Sequence, residues 1–317
     1  MQNRFFSQDG WHLANLIEER HRHSRLFSIK WQNNDLFFRV DEIELGSGNG
    51  NDKLVRLGII ETSDYLDFNK IELADSGFFS TLADTAKKQN CDAILLSNIV
   101  SGSRFDLTVK QYFEGQDYYY ELKCVPTFGI RNKGNFANYL NSIGKESGRN
   151  LIRIRKKLAK LNPVFGLEPL TECNIAWQLR HQKFRAAARD YDIFENSIVD
   201  KVLRRALGLC NLKFASIKID GKIACGMTIL EHGDNWGIYL QAFDLAYNAY
   251  YVSICLLSEM IEASFTHNIA YVDLLRGDES YKKRYCNTRI DLKKIAIKFN
   301  ENLSPEIFVK KLESFIE

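Results

Sequence analysis

Residues 271–285 read YVDLLRGDESYKKRY. An apolar, β-branched run ends abruptly in Arg276, Gly277, Asp278 and Glu279, and Tyr281, Lys282 and Lys283 follow at once. These side-chain types suit two tasks. Arg276 can grip a carboxylate or phosphate with its planar fork, with Lys282 as a second cation beside it. Asp278 and Glu279 can take a proton from a nucleophile or anchor a substrate. A purely structural use fits the same residues: Arg276 pairing with Asp278, and Glu279 sitting favourably in the first turn of a following helix. An exposed Arg-Gly-Asp adhesion loop would need an extracellular protein, which nothing else in the sequence supports.

Other positions could serve a site. Trp236, Tyr239 and Gln241 fall along one expected strand and could wall an acceptor pocket or simply be core. Ser63, Asp64 and Tyr65 follow an expected strand, where a cleft lining and an Asx-type turn are equally good readings. Trp177, Arg180, His181 and Arg185 share helical spacing. His21 and His23 lack Cys, Asp or Glu at ligand spacing, so no metal is expected. The run GSGNG (Gly46–Gly50) precedes no apolar helix and reads as a hairpin turn, not a phosphate-binding loop.

The elements that must position these residues are clearest in the second half. Phe214–Ile219, Lys222–Leu230 and Trp236–Phe243 read as an antiparallel meander with Asp220-Gly221 at its first turn. Ile254, Leu257, Ile261 and Phe265 give Val252–Phe265 the spacing of an amphipathic helix. Ile269–Leu275 reads as a buried strand and Leu292–Phe299 as an edge strand. A last helix is expected from Ser304, with Pro305 in its first turn. The first half is a fainter version of this order: strands at Leu36–Leu45, Lys53–Ile60 and Asp92–Ile99, a helix over Ile71–Gln89, and strand-like alternation in FDLTVKQYF and QDYYYELK. Between the halves, Gly134–Pro163 is helical and basic, carrying Lys145, Arg149, Arg153, Arg155, Lys156, Lys157 and Lys160. Such a run is either a solvated helix face or a local site for the phosphates of a cofactor or substrate.

Bulk properties narrow the class. At 317 residues, two domains are expected. A net charge of +3 provides no global field for DNA or an acidic membrane surface. No apolar run reaches the roughly 18 residues of a membrane span. The N-terminus lacks the pattern of a secretory signal. Seven dispersed cysteines without a CxxC pair fit thiols in a reducing, cytoplasmic setting and give no zinc or disulfide framework.

DLLRGDESYKKRY resembles the strand-and-loop signature of the CelD/BcsL-type acetyltransferases, an aromatic-Asp-Phe-Leu-Arg-Gly-Asp-Glu-Pro-Tyr-Lys run closing on an aromatic. RLGIIETSDYLDF (Arg56–Phe68) is similar to that family's Gly…Ser/Thr-Asp-Tyr segment, and Tyr139–Leu158 to its basic connecting helix. Ser280 stands where the family commonly has proline, and Ala246–Glu262 lacks its Ser-Pro-Gly-like turn. The resemblance implies a mixed α/β fold of two tandem GNAT-like domains, as in the Fem transferases: residues 1–130, a basic helical connector over 131–165, and an acyltransferase domain over 166–317. It implies acetyl-CoA or another acyl-CoA as donor, and as partner a small-molecule or glycan- or lipid-linked acceptor of a bacterial cell-envelope or polysaccharide pathway. Carried onto this chain, backbone near Leu240 and Gln241 would face the reacting carbonyl, and N–H groups of Tyr251, Val252 and Ser253 would take the CoA pyrophosphate. Tyr281 would stand where an acid protonates the leaving thiolate. Asp64, Tyr65, Arg149, Trp236, Tyr239, Arg276 and Lys282 would hold the acceptor. Two alternatives accompany this reading: a Fem-type transferase using aminoacyl-tRNA, and a non-catalytic binding protein that kept the fold and lost the cofactor groove at Tyr251–Ser253.

Overall fold

The computed structural model describes residues 25–31, 34–45, 53–60, 76–113, 119–123, 126–187 and 196–299. In chain order its elements are β1 (Arg25–Trp31), β2 (Asn34–Leu45), β3 (Lys53–Ile60), α1 (Ser76–Lys88), β4 (Ala93–Val100), α2 (Arg104–Phe113), β5 (Tyr119–Lys123), β6 (Thr127–Arg131), α3 (Phe136–Ser142), α4 (Lys145–Ala159), β7 (Val164–Pro169), α5 (Glu172–Ala187), α6 (Asn196–Ala206), β8 (Leu212–Ile219), β9 (Lys222–His232), β10 (Asn235–Phe243), α7 (Val252–Thr266), β11 (Tyr271–Arg276), α8 (Ser280–Tyr285), β12 (Thr288–Ile290) and β13 (Leu292–Lys298). Asp64, Tyr65, His21, His23 and the helix expected from Ser304 lie outside the described residues.

The chain divides into two compact units, one holding residues 126–289 and the other residues 25–123 and 290–299. Each has a mixed sheet, as expected. The first half's sheet runs β1-β2-β3-β4-β13-β5, the second half's β12-β6-β11-β10-β9-β8-β7. Both follow one plan: an antiparallel meander, a helix, then a strand parallel to the meander's last. That parallel pair is β3 with β4 in one sheet and β10 with β11 in the other. The faint repetition in the sequence is therefore a repetition of topology.

Three expectations are corrected. The boundaries at 130 and 165 are not where the units part. Helix α4 buries Leu151, Ile154 and Leu158 in the core of the 126–289 unit, so the basic segment is built into that unit and is no free connector. Leu292–Lys298 is no edge strand of the second sheet, because it lies between β4 and β5 of the first, antiparallel to both. Its Lys293 ammonium is 2.6 Å from Asp106 and 3.0 Å from Glu121 in that same unit. Finally, FDLTVKQYF is helical: Phe105, Val109 and Phe113 recur every fourth residue and are all buried, and Ser103 Oγ accepts the Asp106 N–H at the helix start.

The meander of the second half forms as read. Asp220 and Gly221 have φ of 50° and 74°, the left-handed pair that a two-residue hairpin of this twist needs. Its core joins α4 and α7 to the sheet through Leu151, Ile154, Met227, Trp236, Leu256 and Met260. Among the described residues no helix is long and apolar enough to cross a membrane, and no group of His, Cys, Asp and Glu could hold a metal ion.

Candidate active site

In the middle of the second sheet, β10 and β11 pair only across Asn235–Tyr271, Trp236–Val272 and Gly237–Asp273. Just beyond that level both strands are distorted. The register of β10 on β9 shifts between Ile238 and Leu240, which leaves Tyr239 as the extra residue of a bulge. The register of β11 on β6 shifts between Asp273 and Arg276. Two neighbouring parallel strands thus stop pairing where each is bent, and main-chain groups of β10 lose the partners a continuous ladder would supply.

Helix α5 takes up part of that loss. Gln178, fully buried, donates its Nε2–H to the Leu240 carbonyl at 3.0 Å and accepts the Thr228 hydroxyl at 2.6 Å. One turn on, Gln182 donates to the Gln241 carbonyl. The Gln241 side chain in turn donates to the Ser253 carbonyl at 3.0 Å, tying the bent strand to the first turn of α7. Between β10 and α7 a short 3-10 turn, Leu245–Tyr250, is capped by Asp244, whose carboxylate accepts the Ala246 N–H at 2.9 Å. Tyr251 follows in the left-handed region at φ 54° and ψ 39°. The first helical bonds of α7 run from Ile254 and Cys255 to the Tyr251 carbonyl, so the N–H groups of Val252 and Ser253 precede them. Val252 turns its side chain into the core, while Tyr251 is half exposed. The Lys157 ammonium of α4 bonds the Ala249 carbonyl at 2.8 Å and lies 5.6 and 5.7 Å from the Tyr250 and Tyr251 rings. Two backbone donors, the positive end of α7 and one ammonium therefore meet here, a setting that favours an anion.

On the other strand the loop is held from within. Asp273 is buried, and its Oδ1 accepts the Leu275 N–H at 2.8 Å and the Thr127 hydroxyl at 3.1 Å. Leu275 has φ of 59°, a strained region for leucine, and the bond to Asp273 holds it there. Gly277 has φ of 138°, a backbone conformation that residues with a side chain rarely adopt, and a Cβ there would also push aside the Glu279 carboxylate and the Lys282 ammonium, so a substitution is strained. Lys282 is buried; its Nζ donates to the Arg276 carbonyl at 2.6 Å and pairs with Glu279 at 3.1 Å.

The expected site residues are thus only partly brought together. Leu240, Gln241, Val252 and Ser253 share hydrogen bonds or adjacent turns, and Arg276 and Tyr281 stand at the end of β11 and the start of α8. Tyr281 is half-buried against the core. Asp278 and Glu279 are exposed and paired, Asp278 with Lys283 at 2.7 Å and Glu279 with Lys282, so their first role is to shape the loop. Lys282 is corrected from a substrate contact to the internal brace of that loop. Trp236 is corrected from pocket wall to core: it has no exposed surface, and its indole N–H bonds Glu231 at 2.9 Å. Trp236 and Tyr239, three residues apart, do not share a face of a regular strand, and the extra residue at Tyr239 shifts the alternation of the residues after it. Arg149 lies elsewhere, on the outer side of α4. His181 stacks on Trp177 at 4.2 Å and bonds its carbonyl through Nδ1 at 2.8 Å. Sequence reasoning missed Asp273, Gln178 and Gln182. The glutamines left one trace, a polar pair four residues apart on one helix.

Glu231 gives a test of this core. Burial alone would raise its carboxyl pKa, but hydrogen bonds from Lys213, Trp236 and Asn211 hold it below the ordinary value. A pKa lower in the folded than in the unfolded state adds stability above the unfolded value, lost as pH falls through the folded one. Glu231→Gln is therefore expected to cost about 1–3 kcal/mol at neutral pH, and the gap from the parent to close in acid. Urea unfolding followed by tryptophan fluorescence at both pH values checks it; a gap of equal size in both would refute the account.

No curated protein matches the sequence. Among solved structures, FemX superposes with a TM-score of 0.65 over 94% of this chain and 95% of its own, at 10% identity. The structure of L-PGS from Bacillus licheniformis superposes at 0.58 over 92% and 89%, at 12% identity. The C-terminal domain of a putative lysylphosphatidylglycerol synthetase from Agrobacterium fabrum does so at 0.58 over 99% and 92%, at 8% identity. These likenesses establish a shared fold. Residues 147–283, which hold both bent strands, α5, α7 and most of α8, match the family described as "Acetyltransferase (GNAT) domain".

Proposed function

We propose that the 126–289 unit moves an acyl group from acyl-CoA to an amine or hydroxyl acceptor, as the CelD-type resemblance of residues 273–285 implies. The observation that supports this most is the parting of β10 and β11 at their paired distortions, with the start of α7 immediately beyond. The donor's pyrophosphate suits the Val252 and Ser253 N–H groups and the Lys157 ammonium. When bound, the donor supplies a thioester carbonyl open to nucleophilic attack. The acceptor's nitrogen or oxygen bonds to that carbon as the C–S bond breaks, the departing sulfur takes a proton from the Tyr281 hydroxyl, and the proton that the acceptor loses passes through water back to the Tyr281 oxygen. Gln178 and Gln182 occupy the Leu240 and Gln241 carbonyls, so that the β10 backbone presents donors, and not unmet acceptors, towards the reacting oxygen. The loop pinned by Asp273 and Lys282 sets where Arg276 and Tyr281 stand. The acceptor is a cell-envelope, polysaccharide or lipid-linked precursor.

Thermal unfolding with acetyl-CoA and longer acyl-CoAs tests the donor. A ligand specific for the folded state is expected to add about 2.7 kcal/mol at roughly a hundredfold excess over its Kd. Tyr281→Phe should keep that shift and lower turnover by about 10²-fold or more. No shift with any acyl-CoA would overturn the reading and favour an aminoacyl-tRNA donor, for which the exposed basic face of α4 supplies phosphate contacts.

A further inference from the structure

Helix α4 turns Leu151, Ile154 and Leu158 inward, which puts Arg149 and Arg153 one turn apart on its outer side. Arg284 reaches the same place from α8. With Glu146, Ser147 and Asn150 these three arginines line an open cavity of about 510 Å³. The cavity is held by the core behind it. Tyr285 is buried, its carbonyl accepts the Tyr139 hydroxyl at 2.8 Å, and its own hydroxyl accepts Asn150 Nδ2–H at 2.8 Å. Asn150 Oδ1 then accepts a guanidinium N–H of Arg153 at 2.8 Å. Arg153 is thus set in place before any ligand arrives, which lowers the ordering cost of binding.

Two other cations on α4 already have partners within the unit. Arg155 bridges Glu259 at 2.8 Å and Glu262 at 2.6 Å, and Lys157 bonds the Ala249 carbonyl. Among the described residues no ion pair engages Arg149, Arg153 or Arg284. Three guanidiniums against the single carboxylate of Glu146 leave two positive charges around one cavity. We propose that Arg149, Arg153 and Arg284 form a receptor for a phosphoryl group, made of residues other than those at the start of α7. A phosphoryl group near neutral pH carries about two negative charges and three acceptor oxygens, matching the charge and offering each fork a partner. A carboxylate would satisfy one fork and leave two. The group belongs either to a soluble phosphorylated substrate or to a lipid headgroup; the chemistry of recognition is the same.

The test uses the full chain and inorganic pyrophosphate at fixed ionic strength, since exposed guanidiniums are screened by salt. Pyrophosphate should raise the unfolding midpoint over a chloride control. The Arg149→Gln/Arg284→Gln double variant, altered only at exposed positions, should bind it at least about tenfold more weakly. The same variant should keep the full acetyl-CoA shift, which separates this receptor from the acyl-CoA reading. Co-sedimentation with phosphatidylglycerol vesicles that the variant abolishes would support the receptor and name the headgroup as source. No pyrophosphate shift in the parent, or an equal shift in the variant, overturns the proposal. So does arginine-dependent binding of bulk tRNA without any pyrophosphate effect, which would make this face a nucleic-acid surface.

Discussion

Asp273→Ala is expected to lower the unfolding free energy by about 3 kcal/mol or more, and to release the loop that follows. The carboxylate is buried and accepts both the Leu275 N–H and the Thr127 hydroxyl. Hydrogen bonds to a charged group contribute about 1.5–3 kcal/mol each, and each donor left buried without a partner adds its desolvation cost. The consequence is larger than local stability, because Leu275 keeps its positive φ through this bond. Freed from it, the residue relaxes towards an ordinary strand conformation, and the Arg276 carbonyl moves off the Lys282 ammonium that now meets it at 2.6 Å. Lys282 would then be a buried cation with one fewer acceptor. Asp273→Asn retains an acceptor oxygen and should cost less than half as much. Urea unfolding measures the first effect, and tryptic cleavage after Arg276 under native conditions the second. A loss below about 1 kcal/mol for the alanine variant, with the loop still protected, would mean that Leu275 is held by something other than Asp273.

The same segment shows what a sequence reveals and what it hides. The apolar run up to Leu275 and the charged residues after it are visible as types, so the strand and its loop were expected in their right places. The two-residue turn at Asp220-Gly221 was legible for the same reason, since few residues accept its backbone angles. The direction of each side chain is not local information. Lys282 and Lys283 are adjacent and identical, yet the first is buried under its own loop and the second is exposed against Asp278. The difference arises because the helical turn of α8 carries neighbours about 100° apart, and the chain before it curls back over only one of them. Pairing between distant segments is hidden more deeply. Leu292–Lys298 has the alternation of any half-buried strand, and nothing within it says that its partners are Ala93–Val100 and Tyr119–Lys123. Phe105–Phe113 failed for another reason: its apolar residues fit both a period of two and a period of four over so short a window, and burial of every fourth one decided it. The family likeness pointed to β10 and to the loop after β11, but the glutamines that bond the β10 carbonyls came from α5, where no motif marks them.

Gln178→Leu is the second substitution expected to act strongly, with a loss of about 2–4 kcal/mol and a weaker acyl-CoA shift. Leucine fills much the same space, so packing changes little and the effect isolates two hydrogen bonds. Without the amide, the Leu240 carbonyl and the Thr228 hydroxyl are both left inside the unit, and each unsatisfied group costs about 1–3 kcal/mol. The carbonyl matters more for function. Leu240 lies just after the bulge, where β11 has parted from β10 and the helix amide now takes its place. Deprived of that donor, β10 is expected to close back towards β11 or admit water, and in either case the backbone proposed to face the acyl donor is displaced. Thr228→Val in the same background separates the two contributions. It removes the stranded hydroxyl, so the double variant should be more stable than Gln178→Leu alone, by up to the cost of one unsatisfied group, while the acyl-CoA shift stays weak. If the double variant instead recovers both stability and binding, the strand is held open by its own bulge and Gln178 serves only the threonine. If it recovers stability alone, the glutamine of α5 is what keeps the two central strands apart.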